Sequence, residues 1–327
     1  PFTGCAGVQE GRTQDPLYSE WREGIGWRPA AGAEGKRIPP ASLRAASHQA
    51  LQAAAHRDAL RGFLALRDRY PDSPEAKESE TSYAIAECYY HLGESEYASA
   101  YTHYLEVLKG SPREEILKLT LGRIYDIGRA FLDGRAKRSF LGISYRSPSY
   151  GVEILLGADG LVTNYPFYTD RSESSLAENA LMEVARYYFQ KQEYAEAELV
   201  FDRLIRDYPA SVWSESAEYQ LALSVFRQVR GVDYDQEALR KARSKFNAYL
   251  SHHPRGSHVE EAREFLRRIS EMEGEHDLRI ARYYLRESQP QAAMLYLSSV
   301  MYHNPRTEAA REAREIFENM EKRRGGR

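Results

Sequence analysis

Residues 178–211 read ENALMEVARYYFQKQEYAEAELVFDRLIRDYPAS. Two apolar series run through these positions. Leu181, Val184, Ala185 and Tyr188 recur at spacings of three and four, and so do Ala197, Phe201 and Leu204. Such spacings put each series on one face of a helix. Pro209, five positions past Leu204, stops the second helix, because proline lacks the N–H that the next turn would use and clashes with the turn before it. Ala185 and Ala197 are small where two antiparallel helices must approach, and Tyr188 and Phe201 fill the space beside them. A bulky side chain at Ala197 is expected to overpack that seam at a cost of about 1–3 kcal/mol.

The second half of this pattern recurs along the chain. Its sets are Ala59/Phe63/Leu66/Pro71, Ala100/Tyr104/Val107/Pro112, Ile154/Ala158/Leu161/Pro166, Ala197/Phe201/Leu204/Pro209, Ala242/Phe246/Tyr249/Pro254 and Ala293/Leu297/Val300/Pro305. Only the third set displaces the small residue. A helix ended by a proline, used six times, implies an architecture that grows by stacking. The order of large, small, aromatic and proline positions resembles the tetratricopeptide repeat. The expected fold is therefore all-α, a tetratricopeptide-repeat superhelical solenoid of about five to six helix pairs over residues 41–322.

Successive prolines lie 41, 54, 43, 45 and 51 residues apart, all wider than the repeat itself, so turns or first helices must be extended. In the third unit a helix near 113–133 is followed by an insertion at 134–148 before the second helix begins near Tyr150. The fifth carries a shorter excursion, RGVDYD, before Gln236. The sixth has a long first segment from Ser257 to about Glu287, in which Gly274 marks a kink or a break between two helices. The first unit has a vague first helix, as a capping repeat would. A last amphipathic helix over 307–322 closes the stack and leaves 323–327 as a basic tail.

Net charge is −3 and 28% of the residues are charged, which points away from nucleic acid as a partner. No run approaches 18 apolar residues, so no segment is expected to span a membrane. Tyrosine dominates the aromatics, with 24 Tyr against 11 Phe and 3 Trp; it suits seams and grooves where a ring packs and its hydroxyl stays wet. Two cysteines are too few for a disulfide framework or a zinc site. Cys88 lies within a helical stretch and reads as a small buried residue. Cys5, in FTGC-AG, resembles a bacterial lipobox, where a small residue precedes a cysteine that becomes the acylated N-terminus. Phe2 stands where that pattern prefers Leu. The chain starts without Met, so the upstream hydrophobic stretch is expected to belong to a trimmed precursor. Residues 1–40, rich in Gly and Pro, have the composition of a flexible tether. Within them, Trp21 and Trp27 mark either a docking peptide or a segment tucked onto the first repeat.

No sequence signature of an enzyme, a phosphate-binding loop or a metal site occurs, so neither catalytic residues nor a cofactor, metal or small-molecule substrate is expected. His252, His253 and His258 cluster at a turn and read as solvated. Glu and Arg alternate on helix faces as ordinary surface pairs. Arg135, Lys137, Arg138 and Arg146 fall in the insertion, and read as a solvated loop or as a contact for a partner or an anionic surface. Binding is the better candidate. In stacked helix pairs the first helices line the concave face. With Ile85, Ala86 and Tyr89 turned to the core, Tyr83, Glu87 and Tyr90 are expected in the groove. Met182, Arg186 and Phe189 are their counterparts in the fourth unit, and Tyr219, Leu223 and Phe226 in the fifth. A groove of aromatics with a few charges suits an extended apolar peptide; the alternative is that these rings pack against neighbouring repeats.

The stretch 245–313 carries Glu275, His276, Leu278, Ile280, Ala281, Tyr283 and Tyr284, then Ala292, Ala293, Pro305 and Thr307. It resembles the carboxy-terminal half of the BamD family of outer-membrane assembly lipoproteins, with weaker likeness back to about residue 56. The resemblance implies a non-enzymatic, lipid-anchored protein on the periplasmic face of the outer membrane, held to its inner leaflet through Cys5. Its implied partners are the periplasmic domains of a BamA-like barrel insertase, docked by the C-terminal repeats with His276, Arg279, Arg282 and Tyr283 as candidate contacts, and unfolded outer-membrane protein segments. The other readings are a periplasmic tetratricopeptide adaptor for cell division or envelope coordination, and, against the extent of the repeats, a solenoid that supports a catalytic domain.

Overall fold

The structure, a computed structural model, describes residues 16–29, 37–141, 143–163, 175–229 and 236–325. The chain divides into two compact units, Pro1–Tyr168 and Thr169–Arg327. In the first, a short 3-10 turn leads into a hairpin of β1 (Ser19–Arg22) and β2 (Gly26–Pro29). There follow α1 (Pro40–Gln52), α2 (His56–Arg69), the single turn α3 (Pro74–Lys77), α4 (Ser79–Leu92), α5 (Tyr97–Lys109) and α6 (Glu114–Leu132). A second hairpin, β3 (Lys137–Phe140) and β4 (Ile143–Arg146), precedes α7 (Pro148–Thr163). The second unit holds α8 (Leu176–Gln190), α9 (Tyr194–Asp207), α10 (Ser214–Arg227), α11 (Gln236–His252), α12 (Val259–Arg286), α13 (Pro290–His303) and α14 (Glu308–Gly325). Consecutive helices pack as pairs: α1 with α2, α4 with α5, α6 with α7, α8 with α9, α10 with α11, and α12 with α13. The expected all-α tetratricopeptide-repeat fold is the fold observed.

The repeated register occupies the second helix of each pair. In the five sets that begin with alanine, all fifteen small and apolar residues have no accessible surface. The prolines act as stops: α2, α9, α11 and α13 end two residues before Pro71, Pro209, Pro254 and Pro305. The residue ahead of the ring leaves the helical region, with φ near −130° at Tyr70, Tyr208 and Asn304, as a following proline requires.

The third set is explained by a different pair of small residues. Ile154 is buried, and close approach moves one turn earlier, to Gly151. A Cβ there would lie 2.4 Å from the Leu132 backbone nitrogen and 2.7 Å from the Gly128 carbonyl oxygen. Gly128 in turn lies against Leu155. Two glycines bring α6 and α7 together where alanines serve elsewhere. Pro166 lies outside the described residues.

Three expectations need correction. The first is the tether. Residues 16–29 are packed: Leu17, Trp21 and Trp27 join a core with Leu43 of α1 and Ala59, Phe63 and Leu66 of α2. Trp27, 2% exposed, donates from Nε1 to the Asp58 carbonyl at 3.0 Å, and Trp21 donates to the Asp58 carboxylate at 3.2 Å. The segment is therefore tucked onto the first repeat. The second is Gly274, which breaks nothing, since α12 runs unbroken for 28 residues. It is buried because the α13–α14 turn crosses it, and an added Cβ would meet Ala309 at 3.2 Å and Thr307 at 3.3 Å. The third is the tail, because α14 continues to Gly325. Cys5 and the RGVD-containing excursion at 230–235 lie outside the described residues.

Helix α12 belongs to two cores. Its Ala262 and Ile269 pack with α10 and α11, while Leu278 and Ala281 pack with α13 and α14. It also caps α14: the Glu271 carboxylate accepts from the backbone N–H groups of Glu308 and Ala309, both at 3.0 Å. This satisfies two of the donors a helix start leaves open and places a negative charge at the positive end of the helix dipole.

Candidate functional site

The α4 face proposed for a groove is bridged from within by α6. Glu87, 9% exposed, accepts from the Tyr104 hydroxyl of α5 and from Arg123 of α6, through Nε at 3.0 Å and Nη2 at 3.2 Å. His91, one turn along α4, stands 3.3 Å from the same carboxylate. The guanidinium of Arg123 lies 4.2 Å from the Tyr90 ring centroid, within cation–π range. Tyr90 stacks on Tyr97 with centroids 5.0 Å apart. Burial, and next the Glu87 charge, push the Tyr104 and Tyr83 hydroxyls above the usual tyrosine range. Burial likewise pushes Tyr97 up to about 12, with the neighbouring Tyr90 adding to it.

Glu87 therefore does not offer a free carboxylate to a peptide. It ties three helices together, since a buried charge persists only when paired and hydrogen-bonded. Tyr83 and Tyr90 remain half-buried and are the accessible part of this face. The surroundings hold the Cys88 thiol up to about 12 through burial and the nearby Glu87, so it is an inert core residue.

In the second unit the proposed residues separate. Met182 is 1% exposed, because α8 turns it inward beside Leu181 and Ala185, and it presents no surface to a ligand. Arg186 and Phe189 are half-buried. Arg186 lies 4.8 Å from the ring of Trp213, the residue just ahead of α10, and Phe189 meets Tyr194 edge-on at 5.3 Å. Trp213 donates to the Asn179 side chain at 2.7 Å. In α10, Tyr219 and Phe226 are core residues: Tyr219 stacks on His258 at 4.2 Å, and Phe226 meets Phe265 at 5.1 Å. The two rings pack against α11 and α12, the alternative weighed from the sequence, while Leu223 is half-buried beside them.

The C-terminal candidates lie along α12. Arg282 is committed to Glu312 of α14, with Nε 3.1 Å from the carboxylate. Arg279 and the half-exposed Tyr283, one turn apart, form an open strip with Glu275, and His276 is half-buried. A cleft of about 720 Å³ opens between α12 and the α13–α14 turn, lined by Arg267, Arg268, Glu271, His303 and Arg306 among others. Among the described residues no group of His, Cys, Asp or Glu could hold a metal ion, and no helix is long and apolar enough to cross a membrane.

Helix phase within one repeat does not single out Arg123 or Trp213. A signal for both exists in the repeat period. Glu87 and Arg123 are 36 apart, Asn179 and Trp213 are 34 apart, and Arg67 pairs with Glu106 at 39. Complementary polar residues one repeat apart face each other across stacked pairs.

Among known proteins, the C-terminal part of a tetratricopeptide-repeat protein from Cytophaga hutchinsonii is 12% identical, with a TM-score of 0.34 over 86% of this chain and 89% of that one. A tetratricopeptide-repeat protein from Parabacteroides merdae is 14% identical, with a TM-score of 0.32 over 85% and 98%. The outer membrane protein assembly factor BamD of Caulobacter vibrioides is 26% identical over 126 residues, which is 38% of this chain. That match spans 41% of the relative's length. Residues 160–327 match the family model YfiO, described as outer membrane lipoprotein. These residues are just over half of the sequence, and the chain belongs to the YfiO family of outer membrane lipoproteins.

Proposed function

We propose that the protein is a non-catalytic scaffold and substrate-recognition component of the machinery that assembles β-barrel proteins into the outer membrane. The observation that carries this reading is the family match over residues 160–327, and the likeness to an assembly factor of Caulobacter agrees with it. In this reading Cys5 is acylated and holds the protein on the periplasmic face. Burial of about 0.8 kcal/mol per CH₂ makes two or more chains a stable anchor. The open strip of Arg279 and Tyr283 on α12 contacts the barrel insertase. Tyr83 and Tyr90, with Arg186 and Phe189, are the accessible aromatic and cationic positions on first helices for unfolded barrel segments.

The test is purification from native membranes, with a photo-crosslinking residue placed at Tyr83 or Tyr90. The expected outcome is recovery with a barrel insertase, crosslinks to unfolded barrel proteins, and loss from the membrane fraction on Cys5→Ser. A protein that stays soluble and recovers no insertase would overturn the reading.

A further inference from the structure

The β3–β4 hairpin has a fixed base and a bare tip. At the base, Gly134 adopts φ +71°, and the Ala136 N–H donates to the Ala130 carbonyl at 2.9 Å. Ala136 is fully buried. Arg135 is paired with Glu94 at 2.6 Å and faces Asp133 at 3.6 Å. Arg138 covers the Tyr150 ring at 4.4 Å, and that ring is wedged edge-on against Phe131. The hairpin therefore leaves the α6–α7 pair in a set direction.

Beyond the base the described side chains are exposed. Leu141 at the turn is 86% exposed, Ile143 71% and Tyr145 42%. Soluble surfaces seldom gather three large apolar side chains on so short an element without a partner. Lys137, Arg138 and Arg146 form no ion pair with any carboxylate among the described residues, unlike Arg135.

The order of side chains along the hairpin identifies the partner. Strand pairing sets Phe140 opposite Ile143, Ser139 opposite Ser144, Arg138 opposite Tyr145 and Lys137 opposite Arg146. From tip to base the described exposed side chains are therefore Leu141 and Ile143, then two serines, then Tyr145 with Arg138 across from it, then Lys137 and Arg146. A bilayer surface presents the complementary sequence with depth: acyl chains, the interface where Tyr is favoured, and anionic phosphates. Four strand residues span roughly 10 Å, comparable to the roughly 5–10 Å to which interfacial elements sink. An acidic protein surface would explain the cations but leave Leu141 and Ile143 without a role.

We propose that the β3–β4 hairpin is a membrane-contact element, which seats its aliphatic tip at the head-group boundary of an anionic phospholipid bilayer and its basic base among the phosphates. It rests on the lipid-anchored reading only for bringing a bilayer near, and the test removes that dependence. The full chain carrying Cys5→Ser, which cannot be acylated, is mixed with vesicles of phosphatidylcholine alone or of phosphatidylcholine with equimolar phosphatidylglycerol, and bound protein is measured by co-sedimentation at low salt.

The chain is expected to bind the phosphatidylglycerol vesicles and not the neutral ones. Lys137→Gln should weaken binding about fivefold, and joint replacement of Lys137, Arg138 and Arg146 by Gln should weaken it on the order of a hundredfold. Ile143→Ser should weaken it about tenfold without changing charge. Because the triple variant loses the Arg138–Tyr150 contact and could disturb the hairpin, a second readout is independent of it. An environment-sensitive dye attached through Leu141→Cys should shift to the blue on anionic vesicles; Cys88, fully buried, stays unlabelled. Failure of the Cys5→Ser chain to bind, equal binding by Lys137→Gln, or an unchanged dye at position 141 would overturn the proposal. Retention by an acidic protein in place of vesicles would do the same.

Discussion

Replacing Glu87 by Ala separates two roles of the α4–α5–α6 network. The substitution leaves the Tyr104 hydroxyl, on a residue with no accessible surface, without its acceptor, at about 1–3 kcal/mol. It also strips Arg123 of a bidentate partner. Loss of one member of a fully buried pair costs about 3–5 kcal/mol, but the Arg123 side chain is 28% exposed and recovers part of that from water. A total near 3–4 kcal/mol follows. The sharper test is a cycle with Tyr104→Phe. Alone, that change should cost about 1 kcal/mol, the net value of the bond. In the Glu87→Ala background it removes an orphaned hydroxyl, so it should be neutral or stabilising by about 1 kcal/mol. The assay is urea unfolding followed by the fluorescence of Trp21 and Trp27 in a Trp213→Phe chain, so that both reporters sit in the first unit. Equal cost of Tyr104→Phe in both backgrounds would refute the network, because residues that share a bond must couple.

Gly151→Ala should destabilise the first unit by about 2–3 kcal/mol in the same assay, since its new methyl meets backbone of α6 that cannot swing away. Gly62→Ala places a Cβ 2.1 Å from Ser47 Oγ and 2.7 Å from the Trp27 ring. The clash should outweigh the roughly 1 kcal/mol helix gain and release the β1–β2 hairpin, seen as a red shift of tryptophan emission and early proteolysis near residues 16–37. The Glu215 carboxyl is held below the ordinary range near 4.5 by the Ser257 side-chain and then backbone donors, at 2.8 and 2.5 Å. A lowered carboxyl pKa stabilises the fold above the ordinary value and loses that contribution as pH falls through the folded one. The gap in Tm between the parent and Glu215→Gln should thus be widest at neutral pH and close in acid; a gap independent of pH would refute it.

The repeat was legible because its signal is local. Alanine, an aromatic or aliphatic residue and proline recur within a dozen positions, and burial of the small and apolar members of five sets follows from helix period alone. What escaped depends on partners far along the chain. Trp21 and Trp27 sit in a stretch with a tether's composition, and the room and the hydrogen bonds that hold them come from Gly62 and Asp58, more than thirty residues on. Gly274 has the low helix propensity of a breaker, yet the chain that crosses it needs the missing side chain. Within the candidate groove, helix phase placed Glu87 on the same face as Tyr83 and Tyr90, but could not reveal that Arg123 fills the space in front of it. Met182 failed for a related reason: one helix gives a direction, and the neighbouring helices decide whether that direction is surface.

The shared helix α12 has a mechanical consequence. At about 1.5 Å per residue its 28 residues make a rod roughly 42 Å long, clamped at one end by α10 and α11 and at the other by α13 and α14. A beam continuous across two spans does not hinge at their joint. A pull on the last helices bends or turns the rod and loads the α10–α11 core directly, with no loop between them to absorb the motion. Whatever grips the C-terminal end of the chain therefore steers several helix pairs as a single lever.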